Sequence, residues 1–178
     1  MYIIGISAYY HDSSACLFKD GHLLFACEEE KFTGIKHDSS FPKQTLNYIF
    51  KKYKLTKNDI EVICYYEDPK IKLDRVIKTI KPQLLKNPIY SLKSYLNIKS
   101  NIRDLKKNLS KYSDNIYYST HHKSHQYYSF YSSDFDKSIC LSIDGVGEWE
   151  TLSVGFADSN GIDYLPISSY PHSVGLFY

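Results

Sequence analysis

The residues best suited to chemistry form a short run, His121-His122-Lys123-Ser124-His125. His121 and His125 stand at i and i+4, so on a helix they share one face about one turn apart. Asp144 closes an apolar stretch 19 residues later. Two imidazoles and a carboxylate are a donor set for Fe(II) or Zn(II); the plainer alternative is a pair of surface or capping histidines. Asp144 also opens the turn Asp144-Gly145-Val146-Gly147-Glu148. The amides of Gly145 and Gly147 could cradle an anion, or the turn could simply join two strands.

Two further polar stretches lie near the start. His11-Asp12-Ser13-Ser14 offers a general base in His11, whose ordinary pKa is near neutrality, and phosphate donors in Ser13 and Ser14. The alternative is a turn satisfied by its own Asp and Ser side chains. Glu28 to Asp38 contains Lys36-His37, which would suit an anionic carbonyl compound, or would form a solvated charged loop.

Hydrophobic spacing indicates what must position these residues. Tyr2–Ala8 reads as a buried central strand, and Ser14–Phe18 with His22–Cys27 as a hairpin about Lys19-Asp20-Gly21. Leu46, Ile49, Phe50 and Tyr53 mark a helical face after Phe41-Pro42. Strand Glu61–Tyr65 follows. A helix carrying Leu73 to Leu84 bends or ends near Pro82, and another carries Leu92 to Leu109. Asn115–Ser119 reads as a strand, His121–Tyr131 as a helix and Ser138–Ile143 as a strand.

The opening pattern then recurs. Ile4-Gly5-Ile6-Ser7 aligns with Leu141-Ser142-Ile143-Asp144 at an offset of 137 positions, and Ser14–Phe18 with Thr151–Gly155. Asn160-Gly161 stands where Asp20-Gly21 stood. A repeat of strand, polar turn, strand, Gly turn, strand predicts two similar half-domains. It suits an α/β chain of the actin-like ATPase (ribonuclease H-like) fold. The first half-domain, residues 1–137, would be complete, and the second, 138–178, cut short after its opening strands.

Composition narrows the function classes. With 178 residues, 43% hydrophobic and 16% aromatic, the chain can build a core rather than remain disordered. No apolar run approaches the roughly 20 residues that span a bilayer, so a membrane is not expected as a partner. No basic segment precedes the first apolar stretch, as a signal peptide would require. Cys16, Cys27, Cys64 and Cys140 are widely spaced and read as reduced, mostly buried thiols, which suits a cytoplasmic protein. Residues 43–111 hold 17 basic and 6 acidic side chains, against 3 and 6 before them and 2 and 8 after. This basic middle reads as lysine-solvated helix surface. It carries no aromatic-basic motif, so nucleic acid is not the expected partner.

Taken together, GISAYYHDSSACLFKDG, EEEKFTGIKHDSSFP, HHKSHQYYSFYSS, LSIDGVGEWET and YPHSVGLFY resemble, in order, the N-terminal region of the O-carbamoyltransferase family of nodulation-factor and antibiotic biosynthesis. The chain is also similar to the metal-dependent threonylcarbamoyl-transferring enzymes of tRNA modification. The resemblance implies transfer of a carbamoyl group from carbamoyl-adenylate, made from carbamoyl phosphate and ATP with Mg(II), to a hydroxyl or similar nucleophile of a small-molecule or glycan acceptor. It implies His121, His125 and Asp144 as ligands of a divalent metal, Fe(II) in preference to Zn(II). His11 would be the catalytic base, and Lys36 and His37 would bind the carbamoyl or phosphate end; Ser13, Gly145 and Gly147, read from their turns, would be further phosphate contacts. The family's HHLSHA stands here as HHKSHQ, both ligand positions being kept. The family also runs well past YPHSVGLFY, so the chain is expected to need the rest of the enzyme. The alternative is a non-catalytic metal- or nucleotide-binding module retaining half of the site.

Overall fold

The computed structural model describes residues 1–178. The chain forms two compact units, Met1–Tyr66 with Leu84–Tyr118, and Glu67–Gln83 with Ser119–Tyr178.

The first unit is an α/β layer on a mixed five-stranded sheet. Its strands are β1 (Tyr2–Ser7), β2 (Ser14–Lys19), β3 (His22–Glu28), β4 (Ile60–Tyr65) and β5 (Ile116–Tyr118), in the order β3-β2-β1-β4-β5. β1 is central as expected, antiparallel to β2 and parallel to β4. The β2–β3 hairpin turns at Asp20-Gly21, with φ of 51° and 83°. Both left-handed residues match the twist of the flanking strands. Parallel pairing of β1 with β4 demands a crossover. It contains the single-turn helix α1 (Glu30–Thr33) and α2 (Lys43–Tyr53). Leu46 and Ile49 of α2 meet Ile4, Leu17 and Ile63 in the core, and Leu105 and Leu109 of the long helix α4 (Pro88–Leu109) complete it.

The start of α2 has no side-chain cap of its own, because Pro42 occupies the N-cap position. Glu29 supplies the cap from a distance. Only 2% exposed, its carboxylate accepts from the Gln44 and Thr45 amides at 2.8 and 2.9 Å and from Thr45 Oγ1 at 2.7 Å. These are amides that a helix leaves without internal partners. The acidic Glu28-Glu29-Glu30 run is therefore partly structural, which its charge concealed.

The second unit holds an antiparallel sheet of β6 (Ser138–Ile143), β7 (Glu150–Asp158) and β8 (Gly161–Ser169), in that order. The repeated three-strand opening is thus present in both units. Helix α5 (His121–Tyr131) buries His122, Gln126 and Phe130, one residue per turn, with Phe130 joining Cys140 and Ala157. Helix α3 (Pro69–Ile80) belongs here too, and the single-turn helix α6 (Val174–Phe177) ends the chain. Pro69 at the first turn and Asp68, which accepts from the Lys70 amide at 2.7 Å, start α3. It passes into a 3-10 turn, Lys81–Gln83, around Pro82.

The units do not divide where the repeat alone would divide them, at 137/138. Segments 67–83 and 119–137 join the second unit because their anchors lie there: Trp149 Nε1 donates to Asp74 at 3.1 Å and the Asp68 amide donates to Glu148, while Gln126 Nε2 donates to Ser153 Oγ at 3.0 Å. The cysteines are free, but only Cys140 is buried, the other three being half-buried. No helix is long and apolar enough to cross a membrane.

Candidate functional site

In the second unit His121, His125 and Asp144 come together. His121 Nε2 lies 2.7 Å from Asp144 Oδ2 and 3.1 Å from His125 Nε2. One donor atom from each residue falls within 4.8 Å of the others. Helix α5 sets the two imidazoles one turn apart, and β6 delivers Asp144 just past its last residue.

The buried face of α5 fixes its rotation. Ser153 Oγ on β7 lies 2.8 Å from His122 Nδ1 and accepts from Gln126 Nε2 at 3.0 Å. Burial pushes His122 down to about 4, so this ring is neutral at working pH. The Asp144 loop must approach α5 closely, and Gly147 permits it. A Cβ there would sit 2.4 Å from His121 Cδ2 and 3.0 Å from His122 Cδ2. Glu148, which the sequence reading left without a role, accepts from the His121 amide at 3.3 Å and so holds the first residue of α5. Burial pushes its carboxyl up to about 7. Its only sequence signal was a charged residue ending a Gly-rich turn.

Electrostatics favour the states in which Asp144 and His125 can bind a metal, an ionised carboxylate and a neutral imidazole. The hydrogen bond from His121, aided by the Gly145 amide at 2.6 Å, outweighs partial burial and holds Asp144 at about 2. Desolvation, followed by the neighbouring His121, keeps His125 below the ordinary imidazole value. The donor set therefore fits a divalent ion. The amides of Gly145 and Gly147 are engaged within the loop, by Asp144 Oδ1 and by the Glu150 carbonyl at 3.0 Å.

The remaining candidates lie in the first unit. The turn after β1 is sewn to the loop after α1 by two backbone bonds, Tyr9 N to Ser39 O at 2.9 Å and Ser13 N to Asp38 O at 2.8 Å. Tyr65 Oη donates to the Ala8 carbonyl at 2.8 Å, and Asn108 to Tyr9 Oη at 2.9 Å. The result brings His11 and His37 onto one carboxylate. Asp12 Oδ2 lies 2.7 Å from His11 Nδ1, and Asp12 Oδ1 lies 2.8 Å from His37 Nδ1. The Asp12 pKa is lowered by the His37 and then the His11 hydrogen bond, and that of His37 is raised by Asp12. Glu30 accepts from the His37 amide at 3.0 Å. Lys36 is exposed, whereas Ser13 is fully buried, with its Oγ lacking a hydrogen-bond partner.

Comparison with known proteins accords with the ordered motifs. The family profile described as Carbamoyltransferase N-terminus matches residues 2–178. An uncharacterized protein of Synechocystis sp. is 37% identical over 188 residues, covering 99% of this chain and 31% of its own length. The nodulation protein NolNO of Sinorhizobium fredii is 27% identical over 183 residues, covering 97% of this chain and 25% of its own length. The chain thus spans about a third or less of these relatives. Among solved structures, an Aquifex aeolicus member of the Ppx/GppA family covers 94% of this chain and 52% of that chain, at 13% identity and a TM-score of 0.36, too loose a likeness to assign the fold.

Proposed function

We propose, from the premise that the chain belongs to the carbamoyltransferase N-terminal family, that it is the amino-terminal part of an enzyme transferring a carbamoyl group from carbamoyl-adenylate to an acceptor hydroxyl. The carbamoyl-adenylate derives from carbamoyl phosphate and ATP with Mg(II). The two units are the opening parts of an actin-like pair, a reading supported by the repeated antiparallel strands. The observation that carries the function is the convergence of His121, His125 and Asp144.

These three residues would hold a divalent ion, Fe(II) in preference to Zn(II), which when bound supplies Lewis-acid chemistry. Glu148 and Gly147 keep α5 and the Asp144 loop in register for that set. His11, exposed and hydrogen-bonded through Nδ1, leaves Nε2 to take a proton. In the transfer, the acceptor oxygen bonds to the carbamoyl carbon and its proton goes to His11 Nε2. The bond from that carbon to the phosphate oxygen breaks, and AMP leaves with the electron pair. Lys36 and His37 offer positive groups for the phosphate or carbamoyl end.

The test is ATP- and carbamoyl-phosphate-dependent carbamoylation of a hydroxyl acceptor. It compares the 178-residue chain, the chain extended to the relatives' length, and the extended chain with His11→Asn. The extended chain should turn over. His11→Asn should lower turnover by about 10²–10⁴-fold, the usual worth of a positioned base. Unchanged activity in His11→Asn would remove His11 from the reaction, and no carbamoylation by the extended chain would sink the reading.

A further inference from the structure

We infer that Asp12 is a positioning residue that holds His11 and His37 together as Nδ1–H tautomers, so that each ring keeps Nε2 for a ligand. The inference rests on the transfer reading for its purpose, but its geometry stands apart from it. His11 and His37 come from separate segments, 26 positions apart in the chain. One carboxylate binds both, Oδ2 to the first ring at 2.7 Å and Oδ1 to the second at 2.8 Å. A carboxylate only accepts, so each Nδ1 must carry the hydrogen. The other nitrogen of each ring is then the one left for chemistry, a second-neighbour effect familiar from histidines whose partner sets the tautomer.

The backbone holds this arrangement at a conformational cost. Asp12 has φ of 52° and His37 φ of 56°, in the left-handed region that costs most side chains energy and that Asp and Asn tolerate best. The two segments are locked by the Tyr9–Ser39 and Ser13–Asp38 backbone bonds on either side of the pair. Asp38 in turn accepts from the Ser40 amide and Thr33 Oγ1, each at 2.8 Å.

The two rings differ in their surroundings, which gives them different tasks. Besides Asp12, His37 faces Glu30, through its amide, and the charge of Glu28, with Lys31 drawn toward both glutamates. This favours its imidazolium, a cation with Nε2–H available to an anionic group. His11 touches Asp12 and stacks at a tilt on Tyr10, with ring centroids 4.4 Å apart. Asp12 lowers the freedom of both rings, and the glutamates bias one of them toward the charged form. The ligand class that fits is one with a phosphate or other anionic oxygen next to a group that gives up a proton.

Nitrogen-15 NMR of histidine-labelled full chain reads the tautomers directly, in the wild type and in Asp12→Asn. Asn preserves the left-handed backbone and offers a single acceptor oxygen. The wild type should show both His11 and His37 protonated at Nδ1 when neutral, against the Nε2–H form favoured by a free histidine side chain. In Asp12→Asn at least one ring should revert, and the His37 pKa should fall toward the free value of about 6.5. An unchanged amide spectrum outside residues 8–14 and 28–40 would show that the fold is intact. Nε2–H tautomers in the wild type, or an unaltered His37 titration in the variant, would overturn the inference. So would spectra at His37 that change on adding EDTA, since a metal would then stand in place of the ring proton. Carbamoylation plays no part in these readouts, so loss of the transfer reading and loss of this one remain separate results.

Discussion

Single carboxylates do opposite jobs in this chain according to what surrounds them. Asp144 is held ionised beside two imidazoles, Glu148 is pushed toward neutrality by burial, and Glu29 is a buried helix cap. Asp38 gives a clean test. Its pKa is lowered first by the Ser40 amide, then by the side-chain contacts. The unfolded chain therefore binds this proton more tightly than the folded one. The Asp38 contribution to stability is present above the unfolded value of about 3.9 and is lost as pH falls through the lower folded value. Thermal melts of Asp38→Asn should lie below wild type at pH 6, and the gap should close as pH drops toward 3. A gap that stays constant across that range would show that Asp38 acts through packing alone. Of the residue-scale features, the His121–His125 spacing and Asp144 were legible because helical period and strand end are local. Asp12 and Glu148 were not, since their partners lie 25 and 27 positions away.

Elements were more readable than their alliances. The strand and helix order follows from apolar period, the Asp20-Gly21 hairpin from turn chemistry, and the doubling of the three-strand opening from the 137-residue offset. What sequence period could not show is which sheet a helix serves. α5 carries a polar buried face, His122 and Gln126, whose match is Ser153 rather than an apolar groove. α2 likewise depends on Glu29, outside the helix. Glu29→Ala should destabilise the first unit by about 1–3 kcal/mol, from a lost cap and unpaired donors. Hydrogen exchange at the Gln44 and Thr45 amides should rise more than at β4. Equal protection in mutant and wild type would mean that the α2 amides find other partners.

For the molecule as a whole, the converging donors carry one proposal, that the second unit holds a divalent metal. The helix phase set by Ser153, the missing Cβ at Gly147 and the depressed pKa of Asp144 all serve the same three donor atoms. Elemental analysis after anaerobic loading with Fe(II), and separately with Zn(II), addresses this most directly. The protein should retain about one ion per chain after desalting, as expected for a single site of this donor type. His121→Ala and Asp144→Asn should lose it, while His11→Asn in the other unit should keep it. A wild-type chain that retains neither metal, or a His121→Ala protein that retains the full amount, would contradict the metal centre.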